Sequence, residues 1–286
     1  MKFAKIIILA VLGLGVFGGG GYFAYRNLIQ PAQPNAREID ALKAAALPPT
    51  PPPDPAAPEL AKADALRKAR KPAEARELLA VIVATYPNSP RIDEARLALG
   101  ELNADMALST APSSDKIDYV VKAGDSLDKI ARQFKSSSEL IMRSNNLVNT
   151  IIQPGQHMAI FQPEFSLEIY LAEKRVVLLQ NGNFFKQFAI VSASLPGGSK
   201  LVETKTRIAE KAAFRDGKRV TFGTKEYAGS ARWIILAQPG YTIFAESPAG
   251  SPGAGAKPPT GLGLSEGDME ELHALVGNGL PVTIFP

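Results

Sequence analysis

Residues 6–25, IIILAVLGLGVFGGGGYFAY, run for twenty positions without a charge, between Lys5 and Arg26. No other feature restricts the fold as much. In lipid a segment must satisfy its own backbone polar groups, which leaves helix. Twenty residues of helix span about 30 Å, the thickness of a bilayer core. Tyr22 and Tyr25 stand where an interfacial aromatic belt belongs. The rival is a cleaved signal peptide, whose apolar region is only about 7–15 residues long and ends at a small-x-small site. The run is longer and no such Ala-x-Ala site follows, so residues 1–28 read as a cytoplasmic tip and an uncleaved signal anchor. Lys2 and Lys5 favour a cytoplasmic N-terminus, a contrast that Arg26 and Arg37 weaken. Gly15 and Gly19 form a GxxxG pair, read here as ordinary small residues of such a helix.

Beyond the anchor the character of the chain changes twice. LPPTPPPDPAAP, residues 47–58, suits neither helix nor sheet and favours polyproline II. Residues 29–58 therefore read as a proline-rich linker that creates distance from the membrane. Residues 59–110 turn to Ala, Leu, Glu, Arg and Lys, with Leu66, Ala69, Ala75, Leu78, Leu79 and Ile82 at helical spacing. Lys71-Pro72 parts a first helix from a second. Tyr86-Pro87-Asn88-Ser89-Pro90 parts the second from a third, which carries Ala95, Leu99 and Leu102. In Ala75, Leu78, Leu79, Tyr86, Pro87 and Ala95 the segment resembles one tetratricopeptide repeat with a following helix. One repeat cannot bury a solenoid core, so the segment reads as a helical spacer or docking unit with a protein partner.

Composition removes several chemistries. The 286 residues include no Cys and two His, His157 and His273. No disulfide, thiolate nucleophile or Cys-based zinc site can form, and no metal or cofactor is expected. The net charge of +4 is spread along the chain, which argues against a nucleic-acid partner.

Residues 117–163 read as strand, helix, helix, strand. Tyr119 and Val121 alternate with polar positions. Gly124-Asp125 turns into a helix capped by Asp125 or Ser126, with Leu127, Ile130, Ala131 and Phe134 as its buried stripe. A Ser run precedes a second helix with Leu140 and Ile141 inward. Asn145-Asn146 ends it, and Pro154-Gly155 leads to a last strand with Met158 and Ile160. In Tyr119, Val121, Gly124, Asp125, Ser126, Leu127, Ile130, Ala131, Leu140, Asn145, Ile152, Pro154, Gly155 and Ile160 the segment resembles a LysM domain, here residues 116–163. The resemblance implies binding of glycans that contain N-acetylglucosamine, in a shallow groove between two loops. It points to Ala123, Gly124, Asp125 and Ser126 on one side, and to Val148, Thr150, Ile151 and Ile152 on the other. Each has a plainer role open to it: Gly124 as a turn, Asp125 or Ser126 as a cap, Ile152 as core.

Residues 165–286 turn to strand-like runs, with Asn181-Gly182-Asn183 and Asp216-Gly217 as turns, a helix over 267–276 and a last strand PVTIF. The stretches LEIYLAEKRVVLLQNGNFFKQFAIVS, ARWIILA and LSEGDMEELHALVGNGLPVTIF resemble the catalytic domain of the L,D-transpeptidases. That family implies a Cys nucleophile and an Arg just before the late helix, and a His-Gly pair on the preceding strand. By position these fall at Gly261, Gly263 and Phe244-Ala245, so all three roles are vacant. Gly263-Leu264-Ser265-Glu266-Gly267 fits a serine-hydrolase elbow. His273, two helical turns on, stands about 12 Å away. The better reading is Ser265 as an N-cap with Asp268 three residues later, and His273 as a helix-surface residue. His157 reads as a strand residue at the LysM edge. The loop 247–260, SPAGSPGAGAKPPT, reads as plain loop, the alternative being the border of a peptide-binding groove.

The expectation is an α+β multidomain chain. It has an N-terminal transmembrane helix, a short α-helical hairpin unit, a βααβ LysM module and a β-rich L,D-transpeptidase-like domain. Its expected function is peptidoglycan binding by a single-pass protein of the bacterial inner membrane, with the bulk of the chain in the periplasm or cell-wall space and a non-catalytic C-terminal domain. The alternatives are a wall-modifying enzyme with an unrecognised nucleophile, or a scaffold that recruits wall enzymes through the helical segment. The implied partners are peptidoglycan glycan strands, the lipid bilayer through the N-terminal helix, and a protein partner of the helical segment.

Overall fold

The computed structural model describes residues 53–162, 164–196, 202–246 and 260–286, together with Tyr22, Phe23, Tyr25, Arg37 and Ile39. The chain divides into Met1–Pro53 and Asp54–Pro286, and every element below belongs to the second unit. Apart from those isolated positions, the apolar run 6–25 and the linker up to residue 52 lie outside the described residues, as does the loop 247–259. Among the described residues no helix is long and apolar enough to cross a membrane.

Three helices open the unit: α1 (Ala57–Lys68), α2 (Pro72–Thr85) and α3 (Ile92–Leu108). Proline stands in the first turn of α1 and of α2. There its missing N–H would have no partner anyway and its φ is already helical. Pro58, the last proline of the linker run, therefore starts a helix instead of extending a spacer. Arg70, with φ 57°, turns the chain between α1 and α2. Leu60, Leu79, Ile82, Ala95 and Leu99 form the core of this group. Leu66 is half-buried and Ala69, at the end of α1, is exposed.

A βααβ module follows. β1 (Lys116–Val120) pairs antiparallel with β2 (His157–Phe161), and α4 (Leu127–Gln133) and α5 (Ser138–Ser144) lie between them in sequence. Each helix starts at a serine. Ser126 Oγ accepts from the Lys129 amide at 3.3 Å and Ser137 Oγ from the Leu140 amide at 2.9 Å. Asp125, the other candidate cap, accepts instead from the Tyr119 hydroxyl and the Lys122 amide, both at 2.8 Å. That closes the turn at Gly124, whose φ of 85° suits glycine. Tyr119, Val121, Leu127, Ile130, Ile141, Met158 and Ile160 make the module's core.

Among the described residues the rest is a ten-stranded sheet with one α-helix and a short 3-10 turn at Lys225–Tyr227. Its strands are β3 (Phe165–Tyr170), β4 (Arg175–Gln180), β5 (Asn183–Ala189), β6 (Ser192–Ser194), β7 (Thr204–Arg215), β8 (Lys218–Arg219), β9 (Ala231–Leu236), β10 (Thr242–Glu246), β11 (Gly261–Ser265) and β12 (Pro281–Phe285). The order is β5-β4-β3-β12-β7-β9-β10-β11-β6, with β8 paired to β7. Asn181 and Gly182, with φ 51° and 75°, make the two-residue hairpin turn between β4 and β5. β7 belongs to both halves of the sheet: Thr204–Arg207 pair with β12, and Ile208–Phe214 pair with β9 across a bulge. α6 (Glu266–Leu275) packs on the sheet through Met269, Leu272 and Leu275, and Ser265 Oγ caps it by accepting from the Asp268 amide at 3.1 Å. The helical group docks on β5. Asn103 Nδ2 donates to the Phe185 carbonyl at 2.8 Å, and Gly100 lies against Lys186.

Candidate functional site

Val120 pairs with His157, so the loop that leaves β1 and the loop that enters β2 lie at the same end of the ribbon. The first carries Ala123, Gly124 and Ser126 exposed and Asp125 half-buried. The Lys122 amide and then the Tyr119 hydroxyl hold the Asp125 carboxyl below the usual carboxylate range. Lys129 Nζ donates to the Gly124 carbonyl at 2.7 Å. The second loop carries Val148 at 93% exposure and Ile151 at 74%, with Thr150 exposed between them. Asn149 Oδ1 accepts from the Ile151 amide at 2.9 Å and shapes this loop. Ile152 is half-buried against the module core. The arrangement offers fixed backbone polar groups on one side and bare aliphatic carbon on the other, a pairing suited to an acetamido-bearing sugar. Thr150 also meets the sheet region: a Cβ on Gly223 would stand 2.8 Å from Thr150 Cγ2.

The positions that the transpeptidase resemblance marks are closed. Phe244 on β10 pairs with Gly263 on the parallel β11, and Phe244 is 1% exposed. A Cβ on Gly261 would fall on the Thr242 carbonyl oxygen, and one on Gly263 would fall on Ser192 Oγ. Ser192 donates to Glu246 Oε2 at 2.8 Å across the same space. No side chain fits at either glycine without displacing backbone or this pair.

His273 is not on the surface, contrary to the sequence expectation. It is 3% exposed, because α5 lies over its face of α6. Ser137 donates to the Ala274 carbonyl, and Arg143 bridges Glu139 at 3.0 Å and Glu270 at 2.7 Å. Glu139 Oε2 accepts from the Tyr227 hydroxyl at 2.9 Å and lies 3.2 Å from His273 Nδ1. The Arg232 guanidinium stacks 3.6 Å from the centre of the Tyr227 ring. Burial raises the Glu139 carboxyl, but the His273 hydrogen bond and the charges of Lys211 and Arg143 outweigh it and hold it at about 2. Burial lowers His273 to about 4, with Lys211 acting in the same direction. The imidazole is therefore neutral at pH 7 and engaged with Glu139. Ser265, occupied as a helix cap, has no base in it. His157 stands exposed at the start of β2, its Nδ1 2.8 Å from Asp118 Oδ2. Among the described residues no group of His, Asp and Glu could hold a metal ion.

Comparison with known proteins agrees with part of this reading. The LysM domain model matches residues 119–161. A search of curated proteins finds no match. Among solved structures the chain is similar to an L,D-transpeptidase of Enterococcus faecium, at 17% identity over 48% of this chain and 56% of that one, TM-score 0.29. It is similar to an L,D-transpeptidase from Mycobacterium smegmatis, at 9% identity over 46% of this chain and 64% of that one, TM-score 0.30. A third similarity is to a fused Zn-dependent amidase/peptidase/peptidoglycan-binding domain-containing protein from Clostridium acetobutylicum. It stands at 15% identity over 58% of this chain and 65% of that one, TM-score 0.30. The chain spans less than two thirds of the length of each of these structures.

Proposed function

We propose that the chain binds peptidoglycan glycan through its LysM domain, that it is held at the bacterial inner membrane by residues 6–25, and that its C-terminal region does no cross-linking chemistry. The observation that carries the reading is the LysM match over residues 119–161, together with two exposed loops at one end of that module. The anchor reading rests on the uncharged run alone. The non-catalytic reading is supported by the absence of Cys and by the filled space at Gly261 and Gly263. One shallow module binds weakly. An anchor in the membrane and an insoluble wall on the other side raise the effective concentration of the pair.

The test is co-sedimentation of the full chain, kept soluble in mild detergent, with insoluble peptidoglycan. The chain is expected in the pellet, and Ile151→Asp is expected to weaken binding by about tenfold, the equivalent of about 1.4 kcal/mol. A chain that stays in the supernatant overturns the glycan reading. New cross-links formed by the chain from muropeptides overturn the non-catalytic reading.

A further inference from the structure

A cavity of about 1060 Å³ opens between the LysM helices and the sheet. It is slightly larger than the range that small-ligand sites occupy, roughly 300–1,000 Å³. Asp128 and Arg132 on α4 and Lys135 in the turn after it make one wall, continued by Ser136, Ser137 and Ser138. Lys211 on β7 and the segment Arg219–Phe222 make the opposite wall, and Gly277-Asn278-Gly279 closes one end.

The charges around it are unevenly partnered. Glu139 is engaged by Arg143, Tyr227 and His273, and Asp128 accepts from the Ser138 hydroxyl. Arg219 is paired with Glu210. Lys211 makes one hydrogen bond, to the Val276 carbonyl at 2.9 Å, so two of its three N–H donors are unspent. Among the described residues no carboxylate lies within ion-pair distance of it. Among the described residues Arg132 and Lys135, exposed at the rim, make no ion pair, although Asp128 and Glu164 line the same cavity. Burial lowers the Lys211 ammonium to about 8. The Glu139 charge opposes this shift only in part, and that carboxylate is already engaged by Arg143, Tyr227 and His273. A buried cation paired so indirectly costs stability, and a bound anion offsets part of that cost. Ser136 Oγ is buried in the same wall with no partner.

We propose that this cavity binds a carboxylate-bearing ligand, with Lys211 receiving the carboxylate and Arg132 and Lys135 guiding it in. Two chain connections tie the cavity to the glycan loops. Ser126, in the first loop, caps the helix whose Asp128 lines the cavity, and Thr150, in the second, touches Gly223, the neighbour of the cavity residue Phe222. A glycan in the loops would therefore present a carboxylate on its peptide substituent to the cavity. That step, unlike the cavity itself, rests on the proposed glycan reading.

The test is titration calorimetry of the full chain in mild detergent with four probes: a peptide-free N-acetylglucosamine tetramer, a disaccharide that carries a tetrapeptide, the same disaccharide stripped of its peptide, and the free tetrapeptide. The peptide-bearing disaccharide should bind about tenfold tighter than a disaccharide stripped of its peptide. Lys211→Met should abolish that increment and leave binding of the tetramer unchanged. Arg132→Glu, on the exposed face of α4, should reduce the same increment and serves if Lys211→Met does not fold. Binding of the free tetrapeptide that is lost in Lys211→Met supports the cavity even if the tetramer fails to bind, an outcome that sinks only the glycan reading. An increment that both variants leave intact, or no increment at all, overturns the cavity proposal.

Discussion

His273 and Glu139 are 134 residues apart in sequence, yet they share one buried contact. Burial, then the Lys211 charge, lowers His273 to about 4 from an ordinary 6.5, so the unfolded chain takes up a proton first on acidification. Stability from this residue is complete above about pH 6.5 and is lost as the pH falls toward 4. Glu139, at about 2 against an ordinary 4.5, adds a second loss below about pH 4.5. The thermal midpoint should therefore fall in both windows, the upper one on the order of 2–3 kcal/mol in full. His273→Gln should remove the upper loss and shrink the lower one, because the His273 contact is the first cause that holds Glu139 down. A variant that melts with an unchanged pH profile would refute the assignment. Little of this was legible in the sequence. Glu270, Glu271 and Leu272 beside His273 look like an ordinary half-exposed helix, and what buries the ring is α5, far earlier in the chain. The serine caps were legible, because Ser126 and Ser265 act within three residues of their own position.

Local chemistry also foretold the elements better than their neighbours. Asn181-Gly182 and Asp216-Gly217 make their turns by backbone geometry alone, with φ 51° at Asn181 and Asp216. The order of the sheet is another matter. β3 lies beside β12, with Leu167 opposite Val282, and nothing near either strand announces the other. Nor does the sequence show that the helical group covers an edge. β5 ends the sheet, and its free carbonyl at Phe185 is taken by Asn103 of α3. An uncovered edge invites pairing with another chain. Gly100 allows the approach, since a Cβ there would stand 3.0 Å from Lys186 Cγ. Gly100→Ala should be near neutral in melting experiments, because the helix gain of roughly 1 kcal/mol offsets the crowding. Gly100→Val should cost about 1–3 kcal/mol and promote aggregation on warming. Equal tolerance of both substitutions would show that α3 does not hold this edge.

At the scale of the molecule the three segments that the composition separates do not behave as beads on a string. One hydrophobic core includes Ala107 of α3, Leu140 of α5 and Phe161 of β2 together with Leu167, Phe185 and Leu272 of the sheet and its helix. Phe161 lies 5.9 Å from Phe165 and 6.5 Å from Phe185, ring centre to ring centre, so the end of the LysM ribbon is part of the C-terminal core. Leu140, read from the sequence as the inner face of its own module, is 0% exposed because it fills that shared core. A LysM module built in this way keeps the loops that carry Gly124 and Ile151 at a fixed place beside the cavity lined by Lys211, which a flexible tether would not do. Calorimetry should therefore show one transition for everything from Asp54 onward. Leu140→Ala should lower its stability by about 2–5 kcal/mol and split the transition in two as the module comes loose. Two well-separated transitions in the unmodified chain would mean that the module folds on its own, and the shared core would then be too weak to hold groove and cavity in register.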